Sequence, residues 1–199
     1  MDFAVGCGYK FLNGGPGVPA FVYVNRKHQD SFTQPLWDWM GHRAPFEFDR
    51  DFTPAGGVGQ FLTGAPPILS LAALNAALDV FADTEVSQLR QKSIALGECF
   101  LKCKEQYPML RDLHLVSPRE AARRGSQVAF THPQAYAICR AWADTGVIAD
   151  FRSPDLLRVG FSPLILRFAE IERAVQKLAE LVNHEVFREP RFQQRLKVT

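Results

Sequence analysis

The longest apolar run in the chain is "PPILSLAALNAALDVFAD", residues 66–83. Its two leading prolines suit a first helical turn, where no backbone N–H is needed. The rest is apolar nearly all round, and a helix of that kind has to be covered on several sides. The next segment changes character. Val86, Leu89, Leu96, Phe100, Cys103 and Tyr107 recur at three- and four-residue spacing, broken only at Ser93. That period predicts an amphipathic helix able to bridge two layers, with Thr84 as its expected cap and Pro108 as its stop.

From about residue 112 short strand-like runs take over. "DLHLVSP" and "SQVAFTH" read as strands, and "PQAYAICRAWADTG" as a helix with Pro133 at its start and Gly146 past its end. "VIADFR" and "DLLRVGFSP" read as strands again. A closing amphipathic helix is expected to bury Phe168, Ile171, Val175, Leu178 and Val182. Strand, strand, helix, strand, strand, helix is a compact α+β unit. Within "LLRVGF", Arg158 is expected on one face, with Leu157 and Val159 on the opposite, packed face. Upstream, "PAFVYVN" (19–25) is a strand, whereas 26–65 is rich in Gly, Pro, Phe and Trp with little periodicity. So long an irregular stretch in a compact domain points to function. The domain boundary is expected inside the second helix, near 95–110, dividing the chain into 1–105 and 106–199.

Composition narrows the function classes. The 199 residues are 47% apolar and 22% charged, and 23 basic residues against 21 acidic leave a net charge of +2. No basic stripe favours nucleic acid or an anionic membrane surface. No run approaches the roughly 18 uncharged apolar residues a membrane span requires. The start, "MDFAVGCGYK", lacks the pattern of a signal peptide. Cys7, Cys99, Cys103 and Cys139 form no CxxC pair and have no adjacent His. They read as buried thiols of a cytoplasmic protein, with neither a disulfide nor a metal site expected.

One lysine stands out. In "GCGYKFLNGGPGVPAF" (6–21), Lys10 is flanked by Tyr9, Phe11 and Leu12 and by small residues. Such surroundings suggest a partly desolvated amine, which would favour its neutral, nucleophilic form. Two readings stay open on spacing alone: a Schiff-base or nucleophilic lysine, and a snorkelling lysine at a strand end. The "NGGPG" that follows lacks a P-loop ending or dinucleotide spacing and reads as a tight turn.

"DFAVGCGYKFLNGGPGVPAFVYV" closely resembles the lysine-bearing segment of the kynureninase family of pyridoxal-phosphate enzymes. The resemblance continues in collinear order through "QPLWDWMGH" (34–42), "FTPAGGVGQFLTGAPPILSLAALNAALDVF" (52–81), "LRQKS" (89–93) and "DLLRVGFSPL" (155–164). It implies an α/β fold: the C-terminal part of a fold type I, pyridoxal-phosphate-dependent transferase-like large domain, followed by a small α+β domain. By the same resemblance Lys10 is the lysine that bonds covalently to pyridoxal phosphate. Tyr9 hydrogen-bonds the cofactor phosphate and assists proton transfer. Trp39 points its indole N–H at the phosphate, from the partner subunit of a homodimer; tryptophan donates only, which suits an anion. Trp37 is expected to be ordinary core. Arg158, read alone a surface arginine, becomes the fork that grips the substrate α-carboxylate. Where the family has Thr or Asn before the double proline, this chain has Ala65. Thr63, or a backbone N–H at the start of the following helix, is expected to replace that phosphate contact.

Family chains run to about twice this length. The missing part would carry the aromatic residue that stacks on the cofactor ring, the aspartate that pairs with its nitrogen and the first phosphate-binding hydroxyls. The resemblance is therefore to a C-terminal half, and the chain alone is expected to be inactive. The implied reaction is hydrolysis of L-kynurenine, or 3-hydroxykynurenine, to anthranilate, or 3-hydroxyanthranilate, and L-alanine. It belongs to tryptophan catabolism, on the kynurenine pathway toward NAD biosynthesis. An aryl-ketone substrate wants an aromatic and polar pocket, to which His42, Phe46 and Phe48 are candidate contributors. The alternatives are another fold type I lyase or aminotransferase, and a non-catalytic remnant or partner subunit of a split enzyme.

Overall fold

The computed structural model describes residues 1–195; the last four residues of the expected 106–199 domain lie outside the described residues. The chain divides into two units, Met1–Thr84 and Glu85–Thr199.

The first unit begins with an antiparallel hairpin of β1 (Phe3–Cys7) and β2 (Ala20–Val24), in register from Phe3 opposite Val24 to Cys7 opposite Ala20. The Phe21 ring lies over Gly6, where a Cβ would stand 2.3 Å from the ring. The "NGGPG" segment is the expected turn, with Asn13, Gly15 and Gly17 in the left-handed region. After α1 (Arg26–Gln29) the chain is irregular, apart from 3-10 turns at Trp39–Gly41 and Gly57–Phe61. Buried Gln60 fastens these pieces, its Nε2 donating to the carbonyls of Gln29 (2.6 Å) and Gly57 (3.3 Å). Gly41 is required by a close approach: a Cβ there would stand 3.0 Å from the carbonyl oxygen of Gln60 and 3.1 Å from that of Leu62. The Trp39 turn therefore lies directly on the segment that leads to Thr63 and Ala65. Next comes α2 (Ile68–Asp79), and none of its residues is buried; Ile68 is 76% and Leu69 88% exposed. Among the described residues of this unit, the buried apolar side chains are Val18 and Val24.

The core belongs to the second unit. It consists of α3 (Val86–Glu105), β3 (His114–Leu115), β4 (Gln127–Thr131), α4 (Ala135–Asp144), β5 (Asp150–Arg152), β6 (Leu156–Gly160), α5 (Phe168–Asn183) and α6 (Pro190–Gln193). The four strands form one antiparallel sheet in the order β3-β4-β6-β5. Phe100 and Leu96 of α3, Trp142 and Ile138 of α4, Val128 and Phe130 of β4, and Val175 and Leu178 of α5 share the core. The Trp142 indole donates to the Ala174 carbonyl at 3.1 Å, so the largest buried ring is also polar-satisfied.

Three expectations shift here. The division falls at Thr84/Glu85, not at 105/106, because α3 packs with α5 and its buried face is part of the second unit's core. Glu85, not Thr84, caps α3, in a capping box with Gln88. Phe168, at the N-terminal end of α5, is 44% exposed, while Ile171, Val175 and Leu178 are buried as expected. Ser93 interrupts the apolar spacing of α3 because it is a buried hydrogen-bonding residue, its hydroxyl 2.6 Å from that of Ser126. Among the described residues no helix is long and apolar enough to cross a membrane.

The 117–126 loop is held to α3 by two arginines. Arg90 donates to the carbonyls of Ala121 and Arg124 at 2.7 and 2.9 Å. Arg124, whose side chain is only 5% exposed, pairs with Glu98 and donates to the Pro118 carbonyl at 3.0 Å. Arg124→Ala is expected to cost about 2–4 kcal/mol, because Glu98 and the loop carbonyls lose their donor together; a clear fall in Tm of the second unit's unfolding transition checks it. In the first unit, Gly41→Ala is expected to destabilise by about 1–3 kcal/mol, because backbone carbonyls cannot swing aside as a side chain can. Gly56→Ala, where a Cβ meets nothing within 4 Å, is the near-neutral control, with tryptophan fluorescence in urea as the readout.

Candidate active site

Tyr9 and Lys10 follow β1 after Gly8 and open the turn that leads back into β2. The turn is fixed from beneath. The Gly14 N–H donates to the Gly8 carbonyl at 3.0 Å, and both glycines press so closely on Val18 and Leu74 of α2 that a Cβ on Gly8 would stand 2.5 Å from the Val18 side chain. The Asn13 N–H closes back on the Lys10 carbonyl at 3.0 Å. The Lys10 ammonium lies 5.1 Å from the centroid of the Tyr9 ring. Both side chains are exposed, which corrects the expectation of a desolvated amine: the apolar neighbours in sequence, Phe11 above all, are themselves turned to solvent.

Trp39 begins a 3-10 turn whose cap is Asp38, the carboxylate accepting from the Met40 N–H at 3.2 Å. Its indole meets Phe46 edge-on at 5.5 Å. Trp37 is not core. It is 61% exposed and stacks on Phe52 at 4.8 Å, because this unit has little interior to receive it. His42 is held at both nitrogens, Nδ1 accepting from the Ala44 N–H at 2.9 Å and Nε2 lying 3.3 Å from the Asp51 carbonyl. Those partners set the neutral tautomer with the proton on Nε2. Trp39, His42, Phe48 and Phe52 line one cleft of about 410 Å³, with Asp49 and Arg50 at its edge. Thr63, Gly64 and Ala65 form the bend into α2; Thr63 and Ala65 are exposed.

Arg158 lies in the second unit, in the middle of β6. Leu157 and Val159 are buried on one face of the sheet, and Arg158 stands on the other, as the alternation predicts. Its register partner on β5 is Asp150. Arg158 Nε donates to Asp150 Oδ2 at 3.1 Å, and Nη2 donates to the same oxygen. Arg152 reaches that oxygen too, at 3.3 Å. Asp150 was not foreseen; the pairing register across the "VIADFR" and "DLLRVGF" runs was the only signal for it. The guanidinium has five N–H donors. Asp150 engages the Nε side of the fork and leaves the end formed by Nη1 and Nη2 able to hold a carboxylate two-handed.

Cys139 and Cys99 of the second unit do not suit nucleophilic chemistry. Burial pushes Cys139 up to about 12 and Cys99 up to about 11, with the neighbouring Cys103 adding to the latter. A thiol in that range holds almost no thiolate near neutral pH.

Comparison with known proteins agrees with the sequence motifs. A family described as "Kynureninase C-terminal domain" matches residues 89–178. Among curated proteins, a kynureninase of Burkholderia mallei is 46% identical over 198 residues, and one of Pseudomonas fluorescens is 45% identical over the same length. Both alignments take in 100% of this chain but 48% of the relative, so the chain spans about half the length of the curated relatives it matches. Among solved structures, an apo cysteine desulfurase from Thermococcus onnurineus is similar with a TM-score of 0.73 at 16% identity, over 92% of this chain and 48% of that one. The cystine C–S lyase C-DES, with glycine covalently linked to its PLP cofactor, gives a TM-score of 0.72 at 17% identity, over 90% and 46%. These likenesses show the fold, that of the fold type I PLP-dependent enzymes. In sequence, the chain is kynureninase-like throughout and corresponds to the C-terminal half of that family's chain.

Proposed function

We propose that this chain is the C-terminal half of a kynureninase-type hydrolase. Completed by the N-terminal half of the family's chain, it cleaves L-kynurenine, or its 3-hydroxy derivative, to the corresponding anthranilate and L-alanine. The observation that carries this is the 46% identity to a kynureninase over 198 residues, an alignment that takes in 100% of this chain.

The residues fit pyridoxal phosphate by the chemistry of their donors. Lys10 supplies a primary amine for the aldehyde, with the Tyr9 phenol beside it. The Trp39 indole, Thr63 and the backbone at Ala65 and the start of α2 supply N–H and O–H donors for the phosphate. When bound, the cofactor supplies an electron sink for the carbon next to the substrate amine. Lys10 is the positioned base at the substrate α-carbon. Arg158 holds the α-carboxylate with the free end of its fork, and the fixed carboxylate decides which bond to the α-carbon is aligned for cleavage. The aromatic cleft at Trp39, His42 and Phe48 has the size and lining for an aryl ketone.

The uncovered apolar surface of α2 calls for an apolar layer, and the N-terminal half of the family's chain is the proposed source. A homodimer of completed chains, or a heteromer with a separate N-terminal half, is the proposed assembly. Four free cysteines suit a reducing compartment, and the cytoplasm is the proposed location.

Borohydride reduction of the chain completed with the N-terminal half of a 46%-identical relative, after incubation with pyridoxal phosphate, is expected to leave the pyridoxyl group on Lys10 in peptide mapping. Its appearance on a different lysine would end the assignment, and no labelling at all would favour a non-catalytic remnant. In the same completed protein, Arg158→Lys is expected to lower kcat/KM for kynurenine roughly tenfold or more, mostly through KM, since a point charge replaces a two-bond fork. Affinity for pyridoxal phosphate should stay unchanged; if it falls equally, Arg158 serves the cofactor and not the substrate.

A further inference from the structure

Cys99 and Cys103 lie one turn apart on α3, and Glu172 reaches them from α5. The two sulfurs are 3.9 Å apart, and the three potential ligand atoms all lie within 4.8 Å of one another. Two thiolates bound to one zinc ion at ~2.3 Å, with a tetrahedral angle between them, stand about 3.8 Å apart. The pair therefore already has the separation that a shared tetrahedral cation demands.

A disulfide is the competing use of such a pair, and the helix opposes it. Bridged cysteines bring their Cβ atoms to about 3.5–4.5 Å, whereas positions four apart on a helix hold them about 5–6 Å apart. Closing the bridge would distort α3 where Leu96, Phe100 and Leu101 are packed in the core. Both helices are held rigidly, α3 by those residues and α5 by Ile171, Val175 and Leu178. Rigid elements are what a metal site needs to keep its ligands in place. Both thiols are half-buried and Glu172 is exposed, so an ion has a path in from solvent.

We propose that Cys99, Cys103 and Glu172 form a binding site for a thiophilic divalent cation of the zinc class, with a fourth position open to water. Two sulfurs and one carboxylate select zinc, cobalt or cadmium over magnesium and calcium, which prefer all-oxygen sites. On binding, two metal–sulfur bonds form, the two thiol protons leave to solvent, and no electron is transferred. The ion ties α3 to α5 and acts as a staple within the second unit. This site is separate from the residues assigned to kynurenine chemistry, and its test does not depend on them.

The test is cobalt(II) titration of the reduced 199-residue chain. A thiolate-to-cobalt charge-transfer band and strong tetrahedral visible bands are expected, saturating at one equivalent and abolished by added zinc. Cys103→Ser should lose half or more of the charge-transfer intensity and weaken binding at least roughly tenfold. Glu172→Gln should weaken binding yet keep the sulfur band, and Cys7→Ser with Cys139→Ser should leave the spectrum intact. In the unmutated chain, zinc should slow alkylation of Cys99 and Cys103 but not of Cys7, read by peptide mass spectrometry, a measurement that needs no variant to fold. The site does not exist if the unmutated chain shows no charge-transfer band, if the band survives the combined Cys99→Ser and Cys103→Ser change, or if zinc protects neither thiol.

Discussion

The exposed apolar surface of α2 is the constraint on which the first unit depends. Burying a Leu or Ile side chain contributes about 1.5–3 kcal/mol, and Ile68 and Leu69 forgo nearly all of it here. Ordering the backbone costs about 1–2 kcal/mol per residue. Val18 and Val24, the buried apolar side chains of that unit, cannot offset such a cost over 84 residues. The hairpin, the turns and α2 thus keep their geometry at the expense of apolar surface left in water. The loop that carries Lys10 is seated through Gly8 and Gly14 on Leu74, so the placement of the amine is only as firm as the placement of α2. Whatever covers α2 would also fix the amine.

The second unit works differently because its core is complete. A four-stranded antiparallel sheet buries Leu157 and Val159 on its packed face, and on the other face Arg158 stands opposite Asp150. An arginine on a long flexible stem loses side-chain entropy when it binds a carboxylate. Asp150 takes some of that loss in advance by holding the Nε side of the guanidinium. Arg152 shares the same carboxylate, so the local charge stays positive, which favours an anionic partner at the free end of the fork.

The helices and the second unit's strands were legible because periodicity reports burial, and burial there is real. The run at 66–83 is legible as a helix for the opposite reason: it is apolar nearly all round, and within this chain none of its helical residues is fully buried. What the sequence does not reveal in the first unit is β1 and the depth of its aromatic residues. β1 carries little strand signal of its own, because Val5 is its one β-branched residue and Gly6 follows it, so the hairpin is legible mainly through the turn after it and β2. Aromatic residues are usually interior, which is why Trp37 and the surroundings of Lys10 look buried in the sequence. In this unit they lie at the surface, since a side chain's neighbours in sequence do not decide its depth. Arg158 could be assigned to a face by alternation, but Asp150 needed the strand register. The Cys99, Cys103 and Glu172 cluster needed α3 and α5 packed together, which no local spacing reveals.

Ala65 stands where the resemblance leads one to expect Thr or Asn, and the helix that follows shows how the loss can be absorbed. A missing hydroxyl removes one donor. Pro66 and Pro67 supply none, so the first free N–H groups of α2 come from Ile68, Leu69 and Ser70, while that of Leu71 is already bonded to the Pro67 carbonyl at 2.9 Å. Those three groups point along the axis of a 12-residue helix whose first turn holds no acidic residue to compete for them. The helix adds roughly half a positive charge at that end. A neutral hydroxyl bond contributes about 1 kcal/mol, and a charge-assisted one about twice that. Backbone donors backed by a helix dipole can supply as much, provided α2 is held still. The substitution at Ala65 therefore shifts the proposed phosphate contact from a side chain to the backbone, and so makes it depend on the same uncovered helix as Lys10.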